Sequence, residues 1–209
     1  GRRKNTISIR KNKNGKYLKD RIEDANGDII WSNDNKAIYY IKKDEQTLRS
    51  YQVYRHIIGE KSSKDELIYQ EEDEKYSVSF GKSKTGKYIF ISCYSSMTSE
   101  VLWLDANDSG ATPAVFLPRR YGHLYEIEHH ENGFYIVSNM NAENNKILFT
   151  RSFPKSISQC SVFQDVSEDV LIEGIDVFKE FLSELLYNSS KSLFLSSKDS
   201  FSNEVSTFS

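Results

Sequence analysis

Three of the four histidines lie in one segment, HLYEIEHHENGFYIVSN, which runs from His123 to Asn139 and also holds three glutamates. Imidazole nitrogens and carboxylate oxygens are ligands for zinc, and the same groups transfer protons in catalysis. The residue types alone therefore allow three interpretations: a metal site, an acid–base site, or a strand that happens to carry histidines.

The alternation of apolar and polar residues gives this segment a predicted local structure. It predicts a first strand over Leu124–His129, a turn over Glu131–Gly133 and a second strand over Phe134–Val137. The segment is thus expected to form a β-hairpin, whose strands position the candidate side chains.

The predicted hairpin separates the candidate ligands. Because successive side chains of a strand point to opposite faces, Glu126 and Glu128 point one way and His129 the other, while His130 falls at the turn. A zinc site needs three or four ligands that converge on one point. We therefore expect polar residues on an exposed or channel-facing strand, and we predict no metal-binding residue here.

Other catalytic and cofactor motifs are missing from the sequence. None of the ten glycines forms the GxSxG turn that carries the serine nucleophile of α/β-hydrolases. Neither a phosphate-binding loop nor a GxGxxG motif occurs. The sequence thus predicts no catalytic residue, no cofactor-binding residue and no cofactor in this chain.

Two charged segments have both a structural and a functional interpretation. The acidic run Glu71–Lys75 is expected to be a solvated connection between sheets, and the alternative is a docking surface for basic peptides. Arg119 and Arg120 are expected to lie in a charged loop, and the alternative is a contact with a partner domain or a substrate.

Composition limits the class of protein. The chain has 209 residues, with 28 basic and 30 acidic side chains and a net charge of −2, which argues against a nucleic-acid-binding protein. No run of 18 apolar residues occurs, so no membrane span is expected. Cys93 and Cys160 are far apart, which favours reduced thiols in a cytoplasmic protein, with one long-range disulfide as the alternative.

The elements that must position these residues repeat along the chain. The runs IYYI, YIFI and FYIV begin at Ile38, Tyr88 and Phe134, at intervals of 50 and 46 residues, and each follows a turn signal. The runs QVYR, EVLW and KILF begin at Gln52, Glu100 and Lys146, at intervals of 48 and 46 residues. Such a period, with four strands per repeat, is typical of β-propeller blades.

The repeat predicts the fold class and the domain organisation. We expect an all-β partial β-propeller arc of four-stranded antiparallel blades, with residues 1–182 forming the propeller and blades at about 23–73, 74–121 and 122–167. Residues 1–22 are predicted to be the last two strands of a preceding blade. Strands that are apolar on both faces fit this fold, because each blade is stacked between neighbours.

Several longer strings resemble a known family. WSNDNKAIYYIKK, YQVYRHIIG, DELIYQEEDEKYSVSFGKSKTGKYIFI, TSEVLWLDA and LPRRYGHLYEIEHHENGFYIVSN are similar to the propeller of the oligopeptidase B group of the prolyl oligopeptidase family of serine peptidases. The resemblance extends from about Arg2 to Leu182 and rests on the order and spacing of uncommon strings.

The resemblance implies a function for a larger protein. Members of this family join a propeller to an α/β-hydrolase domain with a Ser-Asp-His triad and cut short peptides after Arg or Lys, without a cofactor. The propeller acts as a gating lid, and the hydrolase domain of the same parent chain is its implied partner. None of the family's catalytic residues maps onto a position of this chain.

Two features bear on the extent of the chain. It starts at Gly1 without an apolar signal segment, and we expect it to be a piece of a longer protein. Residues 183–209 depart from the family pattern, either as a diverged further blade or as an out-of-frame tail. The leading hypothesis is a non-catalytic propeller fragment of an oligopeptidase B-like peptidase, and the alternative is a stand-alone interaction scaffold.

Overall fold

A computed structural model describes residues 4–164, 170–177, 181–188, 191–198 and 205–206. The described chain is almost entirely β-structure, with two short 3-10 helices at Ser62–Lys64 and Ile157–Gln159. The strands are β1 (Asn5–Arg10), β2 (Tyr17–Trp31), β3 (Ala37–Lys43), β4 (Ser50–Ile57), β5 (Glu66–Gln70), β6 (Ser77–Lys82), β7 (Tyr88–Tyr94), β8 (Ser99–Asp105), β9 (Ala114–Val115), β10 (Tyr125–His130), β11 (Gly133–Ser138), β12 (Lys146–Thr150), β13 (Ser161–Gln164), β14 (Val170–Val177), β15 (Phe181–Asn188), β16 (Lys191–Lys198) and β17 (Val205–Ser206).

These strands form four sheets in which each strand pairs with the next along the chain. The orders are β1-β2-β3-β4-β5, β6-β7-β8-β9, β10-β11-β12-β13 and β14-β15-β16-β17. The strand pairs whose register is defined are antiparallel. The predicted all-β class with four-stranded antiparallel blades is therefore confirmed, with one extra strand in the first sheet.

The extra strand arises because β2 is unusually long. Its first part pairs with β1, with Ile22 opposite Ile7, and its last part pairs with β3, with Ile30 opposite Tyr39. An irregularity in the register separates the two parts, between Ala25 and Ile29. The predicted junction at residue 22 is thus crossed by one continuous strand.

The chain forms two compact units. The first comprises Gly1–Lys82, Gly86–Ser95 and Leu102–Ala114, and the second comprises Ser83–Thr85, Ser96–Val101 and Val115–Ser209.

The core of the first unit explains why its strands are apolar on both faces. Along β3, Ile38 and Tyr40 pack in a cluster with residues of β1 and β2. Tyr39 and Ile41 point the other way, into a second cluster with residues of β4, β6, β7 and β8. Burying both faces of one strand requires a layer on each side, as the blade interpretation predicted.

The second-strand runs of the repeat are buried at most of the positions that carry large side chains. Tyr39, Ile41, Phe90 and Ile136 are buried, whereas Tyr88 is only half-buried. The ring of Tyr88 stacks against Phe90 with the centroids 6.3 Å apart and meets Trp103 edge-on at 5.6 Å.

Gly133 is required by the backbone at the start of β11. Its φ is +149°, and a Cβ atom there would lie 2.4 Å from the carbonyl oxygen of Thr150. A side chain at this position would therefore collide with the neighbouring strand β12, which pairs directly with β11.

The fourth sheet includes part of the segment 183–209. The run Leu193–Leu195 lies within β16. The end of the third predicted blade, at 165–167, and the tail positions 189–190, 199–204 and 207–209 lie outside the described residues. Among the described residues, no helix is long and apolar enough to cross a membrane.

Candidate functional site

The histidine-rich hairpin folds as predicted, but its histidines are placed differently. His129, on the predicted strand, is only 5% exposed, so the expectation of an exposed position is wrong for this residue. His123, which precedes the strand, is 3% exposed. The alternation along the strand is right: His129 and Tyr125 are buried, and Glu126 is exposed. His130 is the last residue of β10 and pairs with Gly133, so the turn between the strands is shorter than predicted.

Each histidine of the hairpin has a different partner. His123 Nε2 lies 2.9 Å from Ser138 Oγ, and its ring stacks on Tyr125 with the centroids 4.9 Å apart. His129 Nδ1 lies 2.6 Å from Thr85 Oγ1. His130 Nδ1 lies 2.8 Å from Asn132 Oδ1. The three imidazoles do not converge on a common point, and they stabilise the hairpin and its surroundings.

Glu128 has an unusual environment within the same hairpin. It accepts hydrogen bonds from the backbone N–H of Lys84 at 3.0 Å and of His129 at 2.8 Å. Burial raises the pKa of its carboxyl group, although these bonds act in the opposite direction.

Within residues 4–164 and 170–177, the His, Cys, Asp and Glu side chains form no group of three or more that could hold a metal ion.

The most complete cluster of titratable groups lies elsewhere, around His56 on β4. His56 is fully buried, with its Nε2 atom 3.0 Å from Asp20 Oδ1 and its Nδ1 atom 2.6 Å from Asp65 Oδ1. The second oxygen of Asp65 accepts a hydrogen bond from the hydroxyl of Tyr40 at 2.8 Å. Asp20 also accepts the backbone N–H of Gly59. Sequence reasoning missed this cluster, because its members come from separate segments of the chain.

The acidic run is less solvated than predicted. Glu71 is buried, and it accepts hydrogen bonds from the hydroxyl of Tyr69 at 3.1 Å and from the backbone N–H of Asp73 at 3.0 Å. The following residues 72–75 are exposed, as expected. The first acidic residue of the run is therefore structural.

The two arginines also differ in their contacts and exposure. Arg119 donates its backbone N–H to Glu100 Oε1 at 2.9 Å, and its guanidinium group lies 3.3 Å from Glu100 Oε2. Arg120 is exposed. Arg119 thus anchors its loop, and Arg120 fits the predicted charged loop.

The cysteines are free thiols. Cys93 is buried and lies 3.1 Å from the hydroxyl of Tyr69, and Cys160 is half-buried. Burial raises the pKa of the Cys160 thiol, which disfavours the reactive thiolate. Neither cysteine is joined in the long-range disulfide that was the alternative.

A cleft of about 440 Å³ opens on the first sheet, with lining residues that include Lys4, Lys42, Glu45 and Tyr54. Lys4 forms ion pairs with Asp24 at 3.3 Å and with Glu45 at 3.2 Å. Lys42 Nζ lies 4.8 Å from the centre of the Tyr54 ring. Lys4 and Lys42 of the cleft thus already contact neighbouring acidic and aromatic side chains.

A match to a known protein family shows where this chain belongs. Residues 1–200 match the family described as "Prolyl oligopeptidase, N-terminal beta-propeller domain". The chain belongs to the prolyl oligopeptidase family.

Individual members of the prolyl oligopeptidase family agree with this assignment. The chain is 32% identical over 185 residues to the dipeptidyl aminopeptidase BI of Pseudoxanthomonas mexicana, covering 87% of this chain and 25% of the relative. It is 35% identical over 146 residues to protease 2 of Moraxella lacunata, covering 68% of this chain and 21% of the relative. The chain thus spans about a quarter of the length of these relatives.

A solved structure supports both the fold and the subgroup. Oligopeptidase B from Leishmania major superposes with a TM-score of 0.86 at 28% identity, covering 95% of this chain and 28% of that chain. Oligopeptidase B from Trypanosoma brucei gives a TM-score of 0.78 at 29% identity, covering 90% of this chain and 27% of that chain. The partial β-propeller fold and the resemblance to oligopeptidase B are confirmed.

Proposed function

We propose that this chain is the propeller portion of an oligopeptidase B-like serine endopeptidase that cleaves short peptides after Arg or Lys. In this proposal the portion forms part of the lid that gates access to the active site and contributes no catalytic residue. Its partner is the α/β-hydrolase domain of the same parent chain, and its substrates are short basic peptides in the cytoplasm.

The observation that carries the proposal is the similarity to oligopeptidase B over almost the whole chain, at a TM-score of 0.86. The protease 2 of Moraxella lacunata supports the same class of enzyme. A non-catalytic role agrees with the environment of the histidines. His56 and His123, the two most buried, make hydrogen bonds to Asp20, Asp65 and Ser138.

In this proposal, catalysis belongs to another domain of the parent protein. Acyl transfer by a serine needs a nucleophile, a base within hydrogen-bonding distance and donors for the oxyanion. The GxSxG turn that presents such a nucleophile is missing from the sequence. A wall of stacked sheets can restrict the size of a substrate without contributing to the chemistry.

The test is an assay of two proteins: this chain alone, and the reading frame that contains it together with its flanking sequence. We expect the longer protein to hydrolyse a chromogenic peptide with Arg at the scissile bond, with full inhibition by a serine-directed reagent. We expect the chain alone to match the buffer rate. Cleavage after other residues by the longer protein, or inhibitable turnover by the chain alone, would contradict the proposal.

A second specificity is favoured by one relative. The name dipeptidyl aminopeptidase BI describes release of dipeptides from amino ends, and that protein matches 87% of this chain. Mass spectrometry of the products from a peptide with a free amino end and an internal Arg distinguishes cleavage after Arg from release of dipeptides. Successive dipeptides would favour the second specificity, and a single cut after Arg supports the first.

A reading frame with its own start and stop codons around this chain would favour the interaction scaffold.

A further inference from the structure

The His56 cluster has a geometry that constrains its protonation. A neutral imidazole has one N–H donor and one acceptor nitrogen, whereas an imidazolium has two donors. Both ring nitrogens of His56 lie within 3.0 Å of an aspartate oxygen. Carboxylates only accept hydrogen bonds, so both contacts are satisfied together when His56 carries its second proton.

The remaining contacts of the cluster favour ionised aspartates. Asp20 Oδ1 also accepts the backbone N–H of Gly59, and Asp65 Oδ2 accepts the hydroxyl of Tyr40 at 2.8 Å. The side chains of His56, Asp20 and Asp65 are at most 3% exposed. A buried charge is tolerated when it is paired and hydrogen-bonded, and a cation between two carboxylates meets this requirement.

The cluster joins elements that are not neighbours in the sheet. Asp20 lies on β2 and His56 on β4, and β3 runs between these strands. Asp65 follows the 3-10 helix Ser62–Lys64, and its backbone N–H bonds to the carbonyl of Ser62 at 3.2 Å. The connection from β4 to β5 is therefore held at Gly59 and at Asp65, close to its two ends.

We propose that Asp20, His56 and Asp65 form a pH-dependent clasp, which holds the connection between β4 and β5 against β2 while His56 is protonated and releases it in alkaline solution. This inference goes beyond the proposed function and does not depend on it. The clasp positions the connection between β4 and β5, because its hydrogen bonds fix Gly59 and Asp65.

The direction of the pH effect follows from the groups that face His56. Burial alone would lower the pKa of His56, but the hydrogen bonds and charges of Asp20 and Asp65 outweigh burial and raise the pKa above 6.5. Burial likewise opposes ionisation of Asp20, yet the bonds from Gly59 and His56 bring its pKa below 3.8. Burial, followed by the hydrogen bond to Asp65, raises the pKa of the Tyr40 hydroxyl, so this group remains a neutral donor.

The clasp therefore stabilises the fold only between an acidic and an alkaline pH limit. The His56 contribution is fully present below the unfolded-state pKa of 6.5 and is lost as the pH rises through the higher pKa of the folded state. The Asp20 contribution is present above 3.8 and is lost as the pH falls through its lower folded-state pKa. The clasp is complete between these limits.

The experiment follows the imidazole of His56 by NMR while the pH is raised from about 6, where an ordinary histidine titrates. We expect the doubly protonated signal to persist above that range in the unmodified chain. We expect Asp20→Asn and Asp65→Asn to move the titration to lower pH. Asp28→Asn, an exposed aspartate on the same strand, is the control and should leave the His56 titration unchanged.

A second measurement tests the release of the connection. The readout is the protection factor of the Gly59 amide in hydrogen exchange, which corrects for the faster intrinsic exchange at higher pH. This protection factor should fall in step with the loss of the His56 proton. A singly protonated His56 at neutral pH would overturn the proposal, and so would Gly59 protection that stays constant through the titration. Both readouts use the unmodified chain, so they decide the matter even if a variant fails to fold.

Discussion

Thr85 Oγ1 lies 2.6 Å from Nδ1 of His129, and this contact joins the turn that follows β6 to the first strand of the third sheet. The adjacent backbone N–H of Lys84 donates to Glu128 at 3.0 Å. The ring of His129 also packs against Phe134, with the centroids 4.7 Å apart. A turn that the sequence marks only as a break between strands therefore makes polar contacts with the histidine-rich hairpin.

We expect Thr85→Val to lower the free energy of unfolding by about 1–2 kcal/mol, because a buried imidazole nitrogen loses its hydroxyl partner. Thr85→Ser retains the hydroxyl group and is the matched control. Urea denaturation at neutral pH measures both variants. Equal midpoints for the two variants would show that the hydroxyl contributes nothing.

Tyr39 and Tyr40 offer a comparison between neighbours on opposite faces of β3. Among the described residues, the buried hydroxyl of Tyr39 lies near Arg55 but makes no hydrogen bond of standard geometry, whereas the hydroxyl of Tyr40 donates to Asp65. We expect Tyr39→Phe to leave the free energy of unfolding unchanged or to raise it, and Tyr40→Phe to lower it by about 1–3 kcal/mol. Chemical denaturation of both variants is the measurement. The reverse order of stabilities would contradict the assigned contacts.

The pH dependence of stability should show His123 with the opposite sign to His56. Burial, assisted by the positive charge of Arg120, lowers the pKa of His123 below 6.5, so the folded state keeps this imidazole neutral. The unfolded chain then binds more protons as the pH falls below that value, and stability decreases with it. We expect His123→Asn to flatten this acid limb of the profile. His130→Asn, at a less buried position, is the control, and an identical loss of the acid limb in both variants would refute the assignment.

Self-association is expected through β13, an edge strand among the described residues. β13 stands at the end of its sheet order, and its residues Val162 and Phe163 are 54% and 42% exposed. Unprotected apolar edges promote pairing between chains. Light scattering after size-exclusion chromatography should show a mass that rises with concentration, and Val162→Lys should reduce it more than Ser161→Lys. A concentration-independent monomer would contradict this prediction.

The sequence by itself determined the strands and their repeat. Runs such as IYYI at Ile38 and FYIV at Phe134 are apolar at consecutive positions, and Asn, Gly and Lys bound them. A strand with this pattern must be covered on both faces, so the stacking of sheets follows from local composition and spacing. The resemblance to oligopeptidase B could also be found from the sequence, because it rests on strings whose order is preserved along the chain.

Only the tertiary structure decided which polar residues are buried and with which partners. Alternation along a strand placed His129 on the face opposite Glu128, but it carried no information about Thr85, which lies 44 positions away. His56 gave no signal as a site, because Asp20 and Asp65 reach it from 36 and 9 positions away. A buried polar group is stable only where the fold supplies its hydrogen-bond partner, and that juxtaposition is a property of packed sheets, which a local pattern does not encode.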